Sequence, residues 1–329
     1  MDPARLETAE ARETLERAAA ILRAGGLVSL PTETVYGLGA NALDAAAVGR
    51  IFVAKQRPAW DPVIVHISDL AMLEGLVETI PEAARRLMEA FWPGPLTLLL
   101  PRTAAVPDAV TAGRPLVGVR MPAHPVALEL IRRAGVPVAA PSANLFGHTS
   151  PTTAAHVLED LDGRIDAVLD GGATDHGVES TVVDPGQSPM VIYRPGAVTT
   201  VQIRDTAGAV EVYRGGPALV ESPQAALPSP GVGLRHYAPR ARLAAEAARW
   251  PEGQIGVMLP AEVRAQIRGA VLYPWGRWAV LEELAHGLYA GLRWLDAQGC
   301  TVILCPLPAE EGIGAALRDR LRKAARTGS

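Results

Sequence analysis

The segment PTETVYGLGAN, residues 31–41, directly follows the apolar run LVSL, residues 27–30. Such a short apolar run is typical of a buried strand. The segment after it carries two threonine hydroxyls, a glutamate, a tyrosine and two glycines, and we predict it to be a loop. Ligands of open α/β sheets bind where strands end in loops of this kind, and Gly37 and Gly39 would let the backbone approach a bound group. An ordinary turn capped by its hydroxyls is the alternative.

Helices and strands alternate on both sides of this loop. Apolar positions recur at helical spacing over residues 6–23, and the glycine pair 25–26 is a plausible C-cap. Further helices are predicted at 44–54, 69–77, 81–90, 125–134 and 152–161, and further strands at 63–67, 96–100, 116–120, 138–140, 165–169, 181–183 and 191–193. This mixture over about 200 residues predicts an α/β domain.

Length and composition predict two domains. The chain has 329 residues, 49% of them hydrophobic, which is enough for more than one core. We place the first domain at residues 1–214. Residues 215–240 are rich in proline, which supports neither a helix nor a central strand, and are predicted to be a linker or lid. Residues 241–329 form a smaller α/β unit, with strands at 255–259 and 301–304 and helices at 280–298 and 314–325.

Charge and cysteine content narrow the class of protein. Thirty-one lysines and arginines face 35 acids, a net charge of −4, so the chain lacks the global positive field of a non-specific nucleic-acid binder. Cys300 and Cys305 flank an apolar run with an odd spacing, so we expect two core residues and no disulfide between them. No apolar run approaches the roughly 18 residues that span a bilayer. We therefore expect a cytoplasmic protein with no membrane partner.

The cations are almost all arginine. Only Lys55 and Lys323 are lysine, which leaves 29 arginines among the 31. A GC-rich coding bias accounts for the excess of arginine, so a retained lysine is a candidate for needing an ammonium. An ammonium is a compact charge suited to phosphate oxygens. Lys55 is therefore a candidate phosphate ligand, although a basic residue at a helix end also complements the helix dipole. Lys323 is expected at the surface.

Other candidate site residues lie where predicted elements end. Arg57, Arg120 and Arg194 would surround a concave site, and a carboxylate ligand would satisfy Arg120 bidentately. His66 ends a strand and is either a ligand or a hydrogen-bonded structural residue. Ser142 and Asn144 add short polar side chains. The sequence has no histidine or cysteine cluster for a metal, so we expect no metal held by protein side chains. It also lacks a phosphate loop, a dinucleotide fingerprint and a nucleophile elbow.

Seven segments together carry a resemblance to a known family. They are PTETVYGLG (31–39), Lys55-x-Arg57 taken with Ser142-x-Asn144, RMPAHP (120–125), APSAN (140–144), GVEST (177–181), RPG (194–196) and HYAP (236–239). In this order they resemble the threonylcarbamoyl-AMP synthases, in the two-domain long form, over nearly the whole chain. The resemblance implies a YrdC-like twisted mixed-sheet domain followed by a smaller Rossmann-like α/β domain.

The resemblance also implies a reaction. L-threonine, bicarbonate and ATP would give threonylcarbamoyl-AMP and pyrophosphate, for a downstream transferase that completes threonylcarbamoyladenosine beside the tRNA anticodon. Mg²⁺ would accompany ATP, and tRNA itself would bind at most weakly. The residues implied for L-threonine are Thr32, His66, Arg120, Ser142 and Ser180. Those implied for ATP are Lys55, Arg57, Thr111, Ala140, Asn144, Ser150, Arg194 and Leu234, with Lys55 and Arg57 acting on the phosphates in catalysis.

Two points stay open in the sequence. Family linkers often read SPGMKYxHYAP, whereas this chain has Gly233 and Leu234 in place of the lysine and tyrosine, which removes a polar or aromatic contact from the lid. The alternative function is an RNA-binding module without catalysis, which the net charge and the 5% aromatic content disfavour. Carbamoyl transfer to another acceptor is a third hypothesis, disfavoured because zinc-finger cysteine pairs are missing.

Overall fold

The computed structural model of the protein describes residues 1–2, 5–214, 227, 229, 236–244, 252–263 and 267–326. Within these residues, ten strands form one mixed sheet and four strands form a second, smaller sheet. The predicted α/β class, with a large mixed sheet and a second smaller sheet, is confirmed.

The first domain contains most of the described elements. Its helices are α1 (Ala9–Arg23), α2 (Ala45–Lys55), α3 (Leu70–Glu74), α4 (Glu82–Phe91), α5 (Asp108–Thr111), α6 (Pro125–Ala134), α7 (Ala154–Leu161) and α8 (Thr200–Ala207). Its strands are β1 (Val28–Leu30), β2 (Gly37–Asn41), β3 (Ile64–His66), β4 (Leu96–Pro101), β5 (Leu116–Arg120), β6 (Val138–Ala139), β7 (Ala167–Val168), β8 (Thr181–Asp184), β9 (Met190–Arg194) and β10 (Val210–Val212).

Strand pairing brings separate parts of the sequence to one edge of the sheet. The strand order is β10-β9-β8-β4-β5-β3-β6-β2-β1-β7. Strands β3 and β5 are parallel, with His66 beside Arg120. Strand β9 runs antiparallel to β8, with Arg194 beside Val182, so the end of β9 meets the start of β8. Three of the predicted site residues, His66, Arg120 and Arg194, therefore lie at strand ends that the topology gathers together.

Alternation along the central strands separates a core face from the site face. Val65 and Leu98 belong to the main apolar core. Ile64 and Leu99, each one residue away, belong to a small cluster on the other face. His66 is two residues beyond Ile64 and therefore projects from the same face as Ile64. The polar site is thus built on the face opposite the main core.

One predicted loop is a strand. The sequence predicts a loop over residues 31–41, but Gly37–Asn41 form β2, which pairs with β1 and β6. A side chain at Gly39 would meet Val138 Cγ1 at 2.8 Å and Leu30 Cδ2 at 3.0 Å. This glycine therefore permits close packing of neighbouring strands, and the expectation that it makes room for a ligand is wrong.

The second domain begins after the linker. Its elements are β11 (Arg242–Ala244), β12 (Ile255–Pro260), β13 (Ala270–Gly276), α9 (Leu281–Ala297), β14 (Val302–Leu304) and α10 (Gly314–Ala324). The strands pair in the order β11-β14-β12-β13, all parallel. Both cysteines are free and buried, as predicted. Lys323 is a correction, because its side chain is only 12% exposed and pairs with Asp319 at 2.8 Å.

The apolar core of the second domain extends into the first. Val35 and Val178 belong to the same buried cluster as Leu288 and Leu317 of α9 and α10. Tyr237, from the described end of the linker, lies in this cluster too. The two domains and the linker therefore share one apolar core around these residues.

Candidate active site

A cavity of about 50 Å³ opens on the polar face of the large sheet. Three buried arginines, two histidines, one glutamate and several hydroxyl groups contribute to its wall. The lining residues are Thr32, Thr34, Val35, Gly37, Arg57, Val63, Ile64, His66, Arg120, Ala140, Pro141, Ser142, Glu179, Ser180, Arg194, His236 and Tyr237. Eight of the predicted site residues are among them: Thr32, Arg57, His66, Arg120, Ala140, Ser142, Ser180 and Arg194.

Arg120 is held by Glu33 and Thr34, in the segment of residues 31–41. Its Nη2 lies 2.7 Å from Glu33 Oε1, and both side chains are at most 5% exposed. Its Nη1 donates to Thr34 Oγ1 at 2.9 Å. Burial acts to raise the pKa of Glu33, but the pKa is lowered overall, and the nearby charge of Arg120 is the main cause of the lowering. Arg120 was expected to find its anion in a ligand; it already has one within the chain.

Arg57 is also fixed by an acid of the chain. Its Nη2 lies 2.9 Å from Asp61 Oδ2, with both side chains almost fully buried. The guanidinium also donates to the Pro62 carbonyl at 2.7 Å. Its Cζ lies 5.8 Å from the centre of the Phe146 ring, within range of a cation–π contact. These contacts hold Arg57 in the cavity wall.

Arg194 has a different environment. Its Nε and Nη2 each donate at 3.0 Å to Ser180, to the carbonyl and the hydroxyl respectively. The Ser180 hydroxyl is also bonded to Thr97 at 2.8 Å. Among the described residues, no carboxylate forms an ion pair with Arg194, so its charge remains available to an anion in the cavity.

Lys55 lies behind the cavity wall. Its side chain is fully buried, and Nζ donates to the carbonyl of Ser142 at 2.5 Å and to that of Asn144. Burial, and then the neighbouring charge of Arg57, lower the pKa of this lysine well below its ordinary value. The ammonium therefore positions the loop that follows β6, which carries Ala140 and Ser142 into the cavity.

The remaining predicted ATP residues lie outside the cavity wall. Thr111 ends α5, and its buried Oγ1 has no hydrogen-bond partner among the described residues. The Asn144 amide donates to the carbonyls of Leu145 and His148. Ser150 Oγ donates to Glu179 at 2.5 Å. Leu234 lies outside the described residues.

Several wall residues are not among the site residues predicted from the sequence. These residues are Glu179, which belongs to the segment GVEST (177–181), and His236 and Tyr237, which belong to HYAP (236–239). A charged residue between Val178 and Ser180, next to a predicted strand, was a signal of a buried and paired carboxylate.

The described residues contain no group of three metal-ligating side chains. No helix in the described part of the chain is long and apolar enough to cross a membrane.

His66 is neutral at physiological pH. It is buried, its Nδ1 has no hydrogen-bond partner among the described residues, and burial followed by the charge of Arg120 lowers its pKa to about 3. The imidazole can therefore donate or accept a hydrogen bond at the cavity wall without carrying charge.

This lowered pKa makes stability depend on pH. Below about pH 6.5 the unfolded chain binds a proton at His66 that the folded protein does not, so acidification toward pH 3 destabilises the folded state. In a His66→Gln variant we expect the fall in unfolding free energy below pH 6.5 to be shallower by up to about 1.4 kcal/mol per pH unit. Urea unfolding between pH 8 and 5 measures this slope; identical slopes in the two proteins would contradict it.

Comparison with known proteins assigns the two halves of the chain. The Sua5/YciO/YrdC family model, described as telomere recombination, matches residues 20–196, and the model of the threonylcarbamoyl-AMP synthase C-terminal domain matches residues 198–326. Two curated proteins called threonylcarbamoyl-AMP synthase are each 44% identical to the chain. The protein of Pyrococcus abyssi aligns over 93% of this chain and 92% of its own length, and that of Bacillus subtilis over 94% and 92%.

A solved structure extends this likeness to the fold. The crystal structure of P. abyssi Sua5 complexed with L-threonine matches with a TM-score of 0.84 and 41% identity. The match covers 95% of this chain and 94% of that one. Sequence and structure therefore agree over both domains.

Proposed function

The chain belongs to the threonylcarbamoyl-AMP synthase family, and from this premise we propose that it makes threonylcarbamoyl-AMP and pyrophosphate from L-threonine, bicarbonate and ATP. The observation that supports this most directly is the cavity wall, where Arg57, Arg120 and Arg194 meet beside serine and threonine hydroxyls. With Lys55 behind the wall, four cations lie near the three carboxylates of Asp61, Glu33 and Glu179, and Glu179 is paired with a fifth cation, Arg320 of the second domain. The excess positive charge suits a triphosphate together with a small carboxylate.

The chemistry forms a carbon–nitrogen bond and then exchanges one oxygen bond at the α-phosphorus of ATP for another. Bicarbonate takes up a proton and loses water to give carbon dioxide, and the threonine amine then adds to its carbon and releases a proton, which forms the carbamate. A carbamate oxygen then attacks the α-phosphorus of ATP, and the bond from that phosphorus to the bridging oxygen breaks as pyrophosphate leaves. Positioning and charge neutralisation contribute most to such a phosphoryl-group reaction. The site supplies both, through fixed guanidinium groups on a buried face.

We assign the residues to two ends of the site. Arg120, with Thr32, His66, Ser142 and Ser180, would hold L-threonine. Arg57 and Arg194 would neutralise phosphate oxygens, with Lys55 acting from behind the wall, and Ala140 would lie along the nucleotide. Thr111, Asn144 and Ser150 would support the nucleotide end from outside the wall.

Mg²⁺ would be bound by the phosphates of ATP and not by a protein cage. The carboxylates at the cavity are already engaged by arginines, Glu33 by Arg120, Asp61 by Arg57 and Glu179 by Arg320. Mg²⁺ commonly binds substrate phosphates with few protein ligands, so this donor set fits such a complex. When bound, the ion would neutralise part of the charge on the phosphates.

The linker would open for ATP. A cavity of about 50 Å³ is too small for a nucleoside triphosphate, and His236 and Tyr237 form part of its wall. We propose that this segment moves when ATP binds and acts as the lid predicted for residues 215–240.

The product would pass to a threonylcarbamoyl transferase of the tRNA modification pathway, with tRNA at most weakly bound. Both cysteines are free and buried, which is consistent with our proposal that the protein acts in the reducing cytoplasm.

Substrate dependence tests the proposal. Purified protein should release pyrophosphate only when ATP, Mg²⁺, L-threonine and bicarbonate are all present, because the carbamate of threonine is the nucleophile. A coupled pyrophosphate assay with each component omitted in turn measures this. Serine and valine, which alter the side chain, are controls for the amino acid. Pyrophosphate release that ignores threonine would disprove the proposal, and salt-sensitive tRNA binding without turnover would favour the RNA-binding alternative.

A further inference from the structure

A buried charge cluster joins the second domain to the cavity wall. Glu179 lines the cavity, and its Oε2 accepts a hydrogen bond from Arg320 Nε at 2.7 Å, 141 positions away along the chain. The Tyr289 hydroxyl lies 3.0 Å from both carboxylate oxygens. Ser150 completes the shell from the first domain. Among the described residues of the second domain, the polar contacts to this carboxylate come from α9 and α10.

The same arginine also contacts the linker. Arg320 Cζ lies 4.8 Å from the centre of the Tyr237 ring, within the range of a cation–π contact. Tyr289 stacks on Tyr237 with ring centres 6.1 Å apart. One guanidinium of α10 therefore holds two residues of the cavity wall.

Such a cluster is poorly explained by stability. The Arg320 side chain is 1% exposed and that of Glu179 is 7% exposed. Removing two charges from water costs several kcal/mol per ion before any pairing, and apolar side chains of similar volume often stabilise a protein as well as a buried ion pair. A buried pair can instead hold the groups beside it in one arrangement, and the groups beside Glu179 belong to the cavity wall.

The residues next to Glu179 are in contact with Arg194 of the cavity wall. Glu179 immediately precedes Ser180, whose hydroxyl and carbonyl both accept hydrogen bonds from Arg194. The chain just after β9 packs tightly on this segment, since a side chain at Gly196 would meet Thr181 N at 2.3 Å and Glu179 O at 2.5 Å. A displacement of Glu179 would therefore be transmitted to Ser180 and Arg194.

We propose that Arg320 and Tyr289 are positioning residues for the synthase reaction, holding Glu179 so that Ser180 and Arg194 meet the substrates in the productive geometry. This inference rests on the proposed function. It assigns the second domain a direct part in the geometry of the site, although none of its residues need touch a substrate.

The test uses the full-length chain with Arg320→Met, which keeps the volume and removes the charge. We expect kcat/KM for threonine at pH 8 to fall on the order of 10- to 100-fold per folded molecule. Arg320→Lys should recover part of the loss, and Tyr289→Phe should give a smaller loss in the same direction. Arg318→Met, on the same helix but bound to Pro308 and Glu310, is the matched control and should match the wild type.

A pH profile separates positioning from stability. Burial raises the pKa of Glu179, and in the intact protein Arg320 and then Arg194 outweigh burial and lower it. Asp319, Lys323, Tyr237 and Tyr289 are the other titratable groups around the pair. Without Arg320 the pKa of Glu179 rises, so a lower pH should protonate the carboxylate more readily in the variant than in the wild type. The loss in Arg320→Met should therefore be smaller at pH 6 than at pH 8.

A double variant provides the second arm. Glu179→Gln mimics the protonated acid, so Glu179→Gln with Arg320→Met should be more active than Arg320→Met alone and keep the wild-type pH profile. It also serves if Arg320→Met does not fold. Wild-type protein without threonine-dependent pyrophosphate release would refute the proposed function. If the wild type is active but Arg320→Met has an unchanged kcat/KM and pH profile, only the positioning role is refuted. The same holds if Arg320→Met is impaired and the double variant is no more active than it.

Discussion

An Arg120→Met variant should lose both threonine-dependent activity and much of its stability. Arg120 lies 2.7 Å from Glu33 in an environment that water scarcely reaches, so its removal leaves a buried carboxylate without its cation. Breaking a buried pair in this way costs about 3 to 5 kcal/mol of unfolding free energy. If Arg120 also binds the threonine carboxylate, kcat/KM for threonine should fall on the order of 100-fold or more. Urea unfolding and the pyrophosphate assay measure the two effects.

A companion variant separates the two roles of Arg120. Glu33→Gln combined with Arg120→Met removes both charges of the pair, so most of the stability should return. Activity should not return, because the anion of threonine still lacks its partner. Arg86→Met is a control for the loss of a cation, since Arg86 pairs with Glu82 on the exposed face of α4. A double variant with wild-type threonine affinity would show that Arg120 serves Glu33 alone.

A Lys55→Met variant should have the second large effect, on the use of ATP. The ammonium is fully buried and donates to the carbonyls of Ser142 and Asn144, which would be left unsatisfied in the variant. We expect kcat/KM for ATP to fall on the order of 100-fold. Initial rates at varied ATP measure this fall, and Arg50→Met, on the half-exposed face of the same helix, is the matched control.

The conservative change at the same position is the sharper experiment. An arginine at position 55 keeps the charge, but its planar fork is larger than the ammonium and has to fit a site with 1% exposure. Lys55→Arg should therefore remain at least about tenfold below the wild type in kcat/KM for ATP. Full activity in Lys55→Arg would contradict the argument that this position needs a compact charge.

Local patterns predicted much of the fold. Apolar periodicity and glycine caps located the main helices and central strands to within a few residues, because burial and capping act over short stretches of chain. Strand β2 was missed because Gly37 and Gly39 have low strand propensity, and their place in the sheet depends on Leu30 and Val138. A contact between three strands is invisible in any one of them.

The site was predictable only as far as its residues lie at ends of elements. Arg57, Arg120 and Arg194 were found because a cation at the end of a buried element needs a partner. The partners themselves were not found. Glu33 precedes Arg120 by 87 residues, and Glu179 precedes Arg320 by 141. Such pairings are set by tertiary structure, and a single sequence carries no signal of them.

The apolar cluster shared by Val35, Val178 and Tyr237 with α9 and α10 bears on how this architecture can change during evolution. A first domain that lost the second would expose these side chains to water and leave Glu179 charged beside the cavity without Arg320 or Tyr289. The loss would become tolerable only after substitutions at several of these positions at once. In this chain, loss of the second domain is therefore strongly disfavoured.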